Sequence, residues 1–515
     1  MIYRSAATRV WDSWILPYNG EYHLFHLETA YTNGLDIDDW GYKTIGRAVS
    51  TDMIHWKALP SIPVICDEPD AWNNSIAFTG TTVEHDNRFY LFITCPTPDG
   101  GGAIGCFVSD DLLNWSRVSK KAQLVPKTPY FEGNENFYAD WRDIDIILAD
   151  DGWYHGFITA KAGEISCDST GSVIAHVKSK NLLDWEYLPP VFNGCNRFRH
   201  TEVPGICRWG EWYYLTFNTT SLGGMRINTP LRDETGGMYY MRSKNINGPY
   251  EMAENPVLIS GSTRVLSDYS GRIVRRGNEY VIWHEETSPL SAFCSPKLLK
   301  QAEDGSLSVH YDSAVNTLCT GEAKPQSACC DGGHWSVHQN TFCGSAAVRS
   351  TVCSIVPDFA EGMLTADVTA NGAARCGIVV HGGGKQTGLG FLLDFERNIL
   401  SLGRCESETT LNARDPKLAF EYYVRTDLWM RKKLEQNKPY FLRVLFRDAY
   451  MECYLNDEYI FSWGQERLWC GREPEPNQFA QSGDLQLYTE RGKATFNNVK
   501  ICSYDPLPRA DKPRQ

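Results

Sequence analysis

The most regular feature of the chain is a turn followed by a strand in which apolar or aromatic residues alternate with polar ones. Five copies recur about every 65 residues. They read GEYHLFHL from Gly20, NRFYLFIT from Asn87, GWYHGFIT from Gly152, GEWYYLTF from Gly210 and GNEYVIWH from Gly277. Alternation with a period of two is typical of strands with one buried face. The pattern therefore predicts an all-β chain.

A second repeated segment follows each of the first four copies. It ends on an aromatic residue, at Trp56, Trp115, Trp185 and Tyr250. Repeats of this length are typical of four-stranded propeller blades, none of which can bury its own faces. We therefore predict a five-bladed β-propeller over residues 1–318. The three tryptophans are interpreted as packing residues, repeated because the blade is repeated.

The repeated pattern ends near Cys319. Residues 319–333 contain the Pro, Gly and Ser that are typical of a domain linker. Short segments with a period of two follow, and they predict an antiparallel β-sandwich over residues 334–505. Residues 506–515 are expected to form a frayed tail.

The first strand of each propeller blade lines the central channel. Eight or nine residues before the repeated turns, this strand carries Asp12, Thr79, Asp143, Glu202 and Asp268. The segments around Asp12, Asp143 and Glu202 are apolar, and a buried carboxylate is costly unless it is hydrogen-bonded, paired or functional. Two carboxyl groups that flank a glycosidic bond can cleave it, one by direct attack or by activating water, the other by protonating the leaving oxygen. These three residues are therefore predicted to be catalytic.

Aromatic residues make up 12% of the chain, which contains 16 Trp. Such rings can act as stacking platforms for a sugar. Candidate substrate-binding residues lie beside the three carboxylates in sequence or elsewhere within the repeated units. They are Trp11, Trp14, Trp40, Trp72, Phe78, Thr79, Trp141, Arg142, His200 and Asp268.

The segments around the carboxylates resemble motifs of the β-fructofuranosidases, the invertases and fructan hydrolases of glycoside hydrolase family 32, and of the related levansucrases of family 68. VWDSW around Asp12 resembles the levansucrase nucleophile strand. WRD ending at Asp143 resembles the Arg-Asp-Pro motif, and TEVP around Glu202 resembles the Glu-Cys-Pro motif. The resemblance implies that Asp12 is the nucleophile, Asp143 the transition-state stabiliser and Glu202 the acid/base.

Several neighbouring residues differ from the family 32 pattern. Ser13 and Trp14 replace Pro-Asn, Ile144 replaces Pro, Val203 replaces Cys, and Gly205 stands where an Asp often binds the sugar. The resemblance implies retaining cleavage of a β-fructofuranoside such as sucrose, a short fructan or a fructose-containing disaccharide, with fructosyl transfer as a related outcome. Two alternatives stay open: an inverting arabinofuranosidase or xylosidase type of enzyme on the related propeller, and a catalytically inactive carbohydrate-binding protein.

The net charge and the cysteines indicate which binding partners and which cellular compartment to expect. The net charge is −13, which argues against binding to nucleic acid or an anionic membrane surface. No apolar stretch is long enough to span a membrane, and the start of the chain has no signal-like apolar region. The 17 Cys show no repeated metal-type spacing, and Cys106, Cys376 and Cys453 lie in apolar segments. Reduced thiols in a cytoplasmic protein are therefore expected, with a disulfide framework as the alternative.

The expected partner is a small carbohydrate, and neither a metal nor an organic cofactor is implied. The sequence does not indicate the oligomeric state.

Overall fold

A computed structural model gives the fold of the chain. It describes every residue except 1, 6, 31–41, 98–101, 134–138, 163–170, 194–197, 199, 220–226, 229–232, 235, 261–267, 287–290, 327–328, 332, 383–387, 408–421, 425, 448–449, 464–481 and 508–515. The described residues form β-strands and one short 3₁₀ helix, so the all-β prediction is confirmed. None of them forms a helix that is long and apolar enough to cross a membrane.

The chain folds into two compact units. Unit 1 contains residues 1–227, 235–308 and 507–515, and unit 2 contains residues 228–234 and 309–506. The main division, after Ser308, lies close to the predicted boundary at residue 318.

Four antiparallel sheets of four strands follow one another along unit 1. The first comprises β1 (Thr8–Tyr18), β2 (Glu21–Ala30), β3 (Thr44–Ser50) and β4 (Lys57–Pro63). The second comprises β5 (Phe78–His85), β6 (Arg88–Pro96), β7 (Gly102–Ser109) and β8 (Ser116–Arg117). The third comprises β9 (Arg142–Leu148), β10 (Tyr154–Lys161), β11 (Ser172–Ser179) and β12 (Trp185–Asn193).

The fourth sheet begins with β13 (Glu202–Trp209) and β14 (Trp212–Thr219). Two short strands follow in the connection, β15 (Ile227–Asn228) and β16 (Asp233–Glu234), before the sheet continues with β17 (Gly237–Ser243) and β18 (Glu251–Ser260). A further antiparallel group contains β19 (Asp268–Arg276), β20 (Glu279–Glu286), β21 (Ala292–Phe293) and β22 (Lys297–Gln301). The next strand is β23 (Leu307–His310).

The first strands of these groups lie side by side. β1 contacts β5, β5 contacts β9, β9 contacts β13, and β13 contacts β19, which in turn contacts β1. A closed ring of inner strands, each backed by its own antiparallel sheet, is the arrangement of a β-propeller. The predicted propeller is therefore confirmed.

The repeated tryptophans have the same local structure in three sheets. The indole N–H groups of Trp56, Trp115 and Trp185 each donate to the carbonyl oxygen three residues earlier, at 3.2, 3.2 and 3.1 Å. The ring of Trp115 also packs edge-on against Phe25, and the ring of Trp56 lies 5.1 Å from that of Trp283. These contacts are structural, as the repeat predicts.

Unit 2 begins near a 3₁₀ helix (Ser313–Leu318) and continues as strands. They are β24 (Cys319–Ala323), β25 (Cys329–Asp331), β26 (His334–His338), β27 (Thr341–Phe359), β28 (Gly362–Asn371), β29 (Arg375–Gly382), β30 (Leu389–Asp394), β31 (Ile399–Ser407), β32 (Tyr422–Val424), β33 (Leu428–Arg431), β34 (Pro439–Arg447), β35 (Tyr450–Leu455), β36 (Glu458–Trp463) and β37 (Gly483–Tyr504).

The two longest strands, β27 and β37, pair with each other and organise unit 2. The C-terminal half of β37 also pairs with β28, which leads to β34, β35 and β36. Its N-terminal half pairs with β29, which leads to β30, β31 and β33. Side chains from both branches form one buried apolar core that includes Leu364, Ile378, Phe391, Val444 and Leu487.

The segment predicted as a linker contains strands of unit 2. β24 pairs with the end of β37, and a disulfide joins Cys319 to Cys502. The expectation that the thiols are all reduced is therefore wrong for this pair. Cys106, Cys376 and Cys453 are buried free thiols, as expected from their apolar segments.

The cytoplasmic localisation stays a prediction. Most of the predicted tail, residues 506–515, lies outside the described residues.

Candidate active site

The three predicted carboxylates lie on inner strands of unit 1, Asp12 on β1, Asp143 on β9 and Glu202 on β13. Asp12 and Asp143 are 7% and 3% exposed, and Glu202 is half-buried. Burial raises the pKa of Asp143 to about 7, with Arg142 opposing the shift and the negative charges of Asp12 and Glu202 adding to it. The three charges thus interact within one site, as expected for carboxylates that face a common channel.

The inner strands lose regular pairing at the positions singled out by the repeat. The ladders slip at Asp12 in β1, at Thr79 in β5, at Asp143 in β9, after Glu202 in β13 and at Ser270 in β19. A β-bulge leaves one residue outside the ladder and redirects its side chain. The φ angles of Asp12 and Asp143 are 22° and 61°, values that non-glycine residues rarely adopt. Such strain is typical of functional sites, where the surrounding structure holds it in place.

Asp12 is held by two hydroxyl groups. Thr79 Oγ1 donates a hydrogen bond to one carboxylate oxygen, and Ser270 Oγ donates to the other. Burial raises the pKa of Asp12, while the Ser270 and Thr79 hydroxyls oppose the shift by stabilising the anion. The two donors come from the neighbouring strands β5 and β19, so the carboxylate is fixed from both sides.

Glu202 is held in a different way. Arg142 Nη2 donates to Glu202 Oε1 at 2.6 Å, and the Tyr269 hydroxyl donates to Oε2. Both carboxylate oxygens are thus occupied by protein donors, one of them cationic. Burial raises the pKa of Tyr269 well above its usual range, with the Glu202 charge adding to the shift, so this hydroxyl stays protonated and remains a donor.

Arg142 joins several carboxylates. Besides Glu202, it contacts Asp140 Oδ1 at 2.8 Å and Asp143 Oδ2 at 3.4 Å. Asp140 also lies 3.3 Å from Lys161 Nζ. Although burial opposes it, the positive charges around Asp140, led by Arg142, lower the pKa of this carboxyl. Asp140 therefore helps to hold the guanidinium that Asp143 and Glu202 share.

Asp145 belongs to the same strand as Asp143, and alternation alone does not separate the two. Arg272 Nη1 lies 3.2 Å from the Asp145 carboxylate, which also accepts from the Thr81 hydroxyl and the Ile206 amide, both at 2.9 Å. Asp145 therefore forms a structural ion pair between inner strands.

Most of the tryptophans proposed as pocket walls are core residues. Trp14 and Trp141 are 2% and 1% exposed, and Trp14 donates its indole N–H to Thr82 Oγ1. Trp11 and Trp72 pack in the same apolar cluster as Trp14. Trp14 and Trp141 thus lie in the apolar core, and their role as pocket walls stays a prediction.

The remaining candidates divide into three groups. Thr79 and Arg142 contact the carboxylates directly, and His200 Nδ1 lies 3.8 Å from Asp140. Phe78 is half-buried at the start of β5. Trp40 lies outside the described residues.

Asp268 is buried at the start of β19, beside Tyr269, and its role as a substrate-binding residue stays a prediction. Its carboxylate lies 3.3 Å from His284 Nδ1. Asp268, His284 and Cys294 bring metal-ligand atoms within 4.8 Å of one another. Lys297 Nζ, however, lies 2.6 Å from His284 Nε2 and supplies the positive charge beside this group. The cluster is a buried ionic network rather than a fit for a metal.

The residues that sequence reasoning missed are on β19. Tyr269 and Ser270 supply donors to the site, whereas the repeat predicts Asp268 at this place on the strand. A step of eight residues back from Gly277, as used in the first and fourth copies of the repeat, leads to Tyr269. The signal was therefore present, but an acidic residue one position earlier took precedence.

Residues 14–241 match the family model for the glycosyl hydrolases family 32 N-terminal domain. The N-terminal part of the chain is thus similar to this family. The match includes the segments around Asp143 and Glu202 and supports the resemblance to family 32 that their motifs indicate.

Relatives and solved structures are similar to the chain in sequence or in fold. The chain is 27% identical over 202 residues to a sucrose-6-phosphate hydrolase of Bacillus subtilis, an alignment that covers 37% of each protein. The structure of a sucrose-6-phosphate hydrolase from Lactobacillus gasseri matches 95% of this chain and 89% of its own, with a TM-score of 0.63 and 16% identity. Fructan 1-exohydrolase IIa from Cichorium intybus matches 99% and 97%, with a TM-score of 0.66 and 12% identity. The chain therefore shares its fold with these enzymes.

Proposed function

We propose that this protein is a retaining glycosidase that cleaves β-fructofuranosides. One observation carries the proposal: three carboxylates on the inner strands β1, β9 and β13 interact with one another but have different partners. Asp12 is held by two hydroxyls, whereas Asp143 and Glu202 share the guanidinium of Arg142. Groups of one chemical type in distinct environments can take distinct roles in a reaction.

Asp12 is the proposed nucleophile. The Thr79 and Ser270 hydroxyls hold its carboxylate in one orientation, and the bulge in β1 fixes its backbone. Attack of one carboxylate oxygen on the anomeric carbon forms a glycosyl-enzyme bond while the glycosidic bond breaks. Water, or a second sugar in a transfer reaction, then releases the fructosyl group.

Glu202 is the proposed acid/base. As an acid it gives its proton to the leaving oxygen, and as a base it takes a proton from the water that attacks the intermediate. The Tyr269 hydroxyl and Arg142 bind one carboxylate oxygen each and thereby orient the group. Both contacts also stabilise the anion that remains after proton transfer.

Asp143 is the proposed stabiliser of the transition state. Positive charge develops on the sugar ring as the glycosidic bond breaks, and a buried negative charge nearby lowers the energy of that state. Arg142 fixes the position of Asp143. Phe78 and His200, both half-buried, are among the remaining candidates for substrate contacts.

The same proposal extends to the architecture. We infer that the four sheets and the β19 group are five blades of a propeller covering residues 1–318, supported by the closed ring of inner strands. Unit 2 is proposed to be a β-sandwich over residues 334–505, supported by the single apolar core between its two branches. The segment between them carries β24 and β25.

Turnover of a sugar panel tests the function. Purified protein is incubated with sucrose, sucrose 6-phosphate, short fructans and arabinofuranosides, and the anomers of the first product are followed by NMR, with Asp12→Asn protein as the blank. We expect release of β-fructofuranose, the retained anomer. An inverted product or cleavage of arabinofuranosides alone would support the inverting alternative. Sugar binding without turnover would identify a binding protein.

A further inference from the structure

Unit 2 carries a large cavity that the mechanism above does not use. Its volume is about 1090 Å³, and all of its lining residues belong to unit 2. Most of the lining comes from β34, β28, β37 and β24, which are consecutive neighbours in the sheet. The disulfide between Cys319 and Cys502, which both line the cavity, joins the last two of these strands. The volume is just above the usual range for small-molecule sites, about 300 to 1,000 Å³, so the cavity can hold a ligand of several rings.

The floor of the cavity is the face of the sheet opposite its apolar core. On β28, Leu364 and Ala366 belong to the core, whereas Met363, Thr365 and Asp367 alternate with them and line the cavity. Successive side chains of a strand point to opposite faces, and β34 shows the same alternation. The sheet therefore presents a second face with polar side chains to this cavity.

Three polar side chains form a row across this face. Arg443 of β34 pairs in register with Thr365 of β28, which pairs on its other side with Lys500 of β37. Neighbouring strands lie about 4.8 Å apart, so the row is about 10 Å long. Two residues further along β28, Asp367 pairs with Phe441 of β34. Hydrogen-bonding groups and an aromatic ring are thus available to one ligand.

Thr365 is the residue that points to a ligand. It is only 7% exposed, yet its hydroxyl has no hydrogen-bond partner within the part of the chain that the structure describes. A buried hydroxyl without a partner is costly, so a polar group of a bound molecule is favourable at this place. The exposed ammonium of Lys500, next to it in the row, likewise has no counter-charge among the described residues.

Arg443 is held in place at the other end of the row. Its guanidinium lies 3.7 Å from the centre of the Tyr311 ring, and its Nε donates to Asp457 Oδ1 at 2.9 Å. Nη1 donates to Met363 Sδ at 3.2 Å, but a thioether sulfur is a weak acceptor. The guanidinium is therefore fixed by its neighbours and keeps donor capacity for a ligand.

The charges around the cavity indicate the class of ligand. The cationic Lys324, Arg443 and Lys500 are accompanied by the carboxylates of Glu322 and Asp367. An anionic ligand would be repelled by the carboxylates and a cationic ligand by the amines. Sugar hydroxyls both donate and accept, so they can pair with either type of group. The aromatic ring beside the row adds an apolar surface on which a sugar ring can stack.

We propose that this cavity is a second carbohydrate-binding site, which takes a neutral oligosaccharide through the Thr365 hydroxyl, the Lys500 ammonium and the Arg443 guanidinium. The site goes beyond the proposed function and does not depend on it. It binds sugar and takes part in no bond cleavage. A glycan anchored here stays at a raised effective concentration for any other site on the same molecule.

Two substitutions remove polar groups of the row while keeping the size of the side chains. Thr365→Val replaces the hydroxyl by a methyl group, and Lys500→Met removes the charge of an exposed side chain. The matched controls are Thr369→Val on β28 and Lys493→Met on β37, which lie on the same strands but do not line the cavity. All variants are made in full-length Asp12→Asn protein, so that the sugar is not consumed.

Isothermal titration calorimetry with fructan, maltose-type and xylan-type pentasaccharides counts the binding sites and gives the Kd of each. We expect at least one of these sugars to bind at a site that the Thr365→Val, Lys500→Met double variant lacks. Each single substitution should raise the Kd of that site by about 10-fold, because the loss of one hydrogen bond in a binding site has an effect of this size. The control variants should match the Asp12→Asn protein. Thermal unfolding establishes that each variant is folded.

The results that would overturn the second site are distinct from those that concern the proposed function. The site would be refuted if every binding site survived the double substitution, or if the control variants lost the same site. Binding of sulfate that the double substitution abolishes, with no neutral sugar bound, would also overturn it. Absence of turnover by wild-type protein on every sugar would overturn the proposed function and leave the second site intact.

Discussion

The two units differ in how many positively charged partners their buried carboxylates have. In unit 2, Glu361 pairs with Arg447 at 2.8 Å, and the side chains of both are less than a tenth exposed. In unit 1, the single guanidinium of Arg142 is shared among Asp140, Asp143 and Glu202. Asp12 adds a further buried carboxylate to the same site. This pair in unit 2 matches one charge with one counter-charge, whereas the unit 1 site sets four carboxylates against the cations of Arg142 and Lys161 and so keeps an excess of negative charge.

This difference indicates which buried carboxylates stabilise the folded state and which lower its stability. A buried pair with matched charges holds strands together, and its loss is felt as lost stability. Carboxylates in excess of their counter-charges destabilise the folded state but favour any positive charge that develops between them. The excess in unit 1 is therefore a property suited to an oxocarbenium-like transition state.

The largest expected effect comes from Asp12. Asp12→Asn should lower kcat by at least about 10⁴-fold, because the amide cannot form the glycosyl-enzyme bond and no other group replaces it. The folded state should be as stable as wild type or more stable, since one excess charge is removed. Steady-state kinetics on the best substrate of the panel, together with thermal unfolding, measures both quantities.

Glu361→Gln provides the matched change in unit 2. It should leave kcat per folded molecule unchanged and lower the free energy of unfolding by about 3 kcal/mol, because Arg447 loses its charged partner. If Asp12→Asn lost stability and Glu361→Gln lost turnover, the contrast between the two units would be wrong.

The next largest effect concerns the crosslink of unit 2. The Cys319–Cys502 disulfide closes a loop across a sequence separation of 183 residues, so reduction should lower the stability of unit 2 by about 3 kcal/mol. Thermal unfolding with and without dithiothreitol measures the change. In the Cys319→Ser, Cys502→Ser double variant, dithiothreitol should have no further effect. An unchanged melting temperature of wild-type protein under reductant would restore the expectation of reduced thiols.

The repeat explains how much of this arrangement could be predicted from sequence. The spacing of Gly20, Asn87, Gly152 and Gly210 locates the inner strands, and counting back from them leads to Asp12, Asp143 and Glu202. The period is reliable because each blade has to bury the same faces.

Positions that depend on local irregularity could not be predicted in the same way. The pairing of β19 is irregular between Tyr269 and Arg272, so a count back from Gly277 does not distinguish Tyr269 from the acidic Asp268. For Trp14 and Trp141 the sequence does not separate a core role from a pocket role, because an aromatic side chain beside a carboxylate suits both. The disulfide joins residues far apart in sequence, and only the pairing of β24 with β37 brings them together.

The smallest expected effect is a pH-dependent change in melting temperature, and it tests the excess of negative charge in unit 1. Burial raises the pKa of Asp143 to about 7 in the folded protein, above the usual value of an Asp. The folded state therefore binds this proton more tightly than the unfolded state, and the associated stability is lost as pH rises through about 7. Asp143→Asn removes the titrating group and should raise the melting temperature by a few degrees at about pH 8 and by clearly less at about pH 5, where only part of this stability has been lost. The gain is modest because Arg142 loses one partner.

Asp140→Asn supplies the control of opposite sign for that measurement. Although burial opposes it, Arg142 and its neighbours lower the pKa of Asp140, so the stability from this carboxylate is present at every pH above its unfolded value. Its loss should lower the melting temperature by similar amounts at about pH 5 and about pH 8. Parallel pH profiles for the two variants would mean that Asp143 is compensated in the same way as Asp140. The distinction between matched and excess carboxylates within unit 1 would then have to be given up.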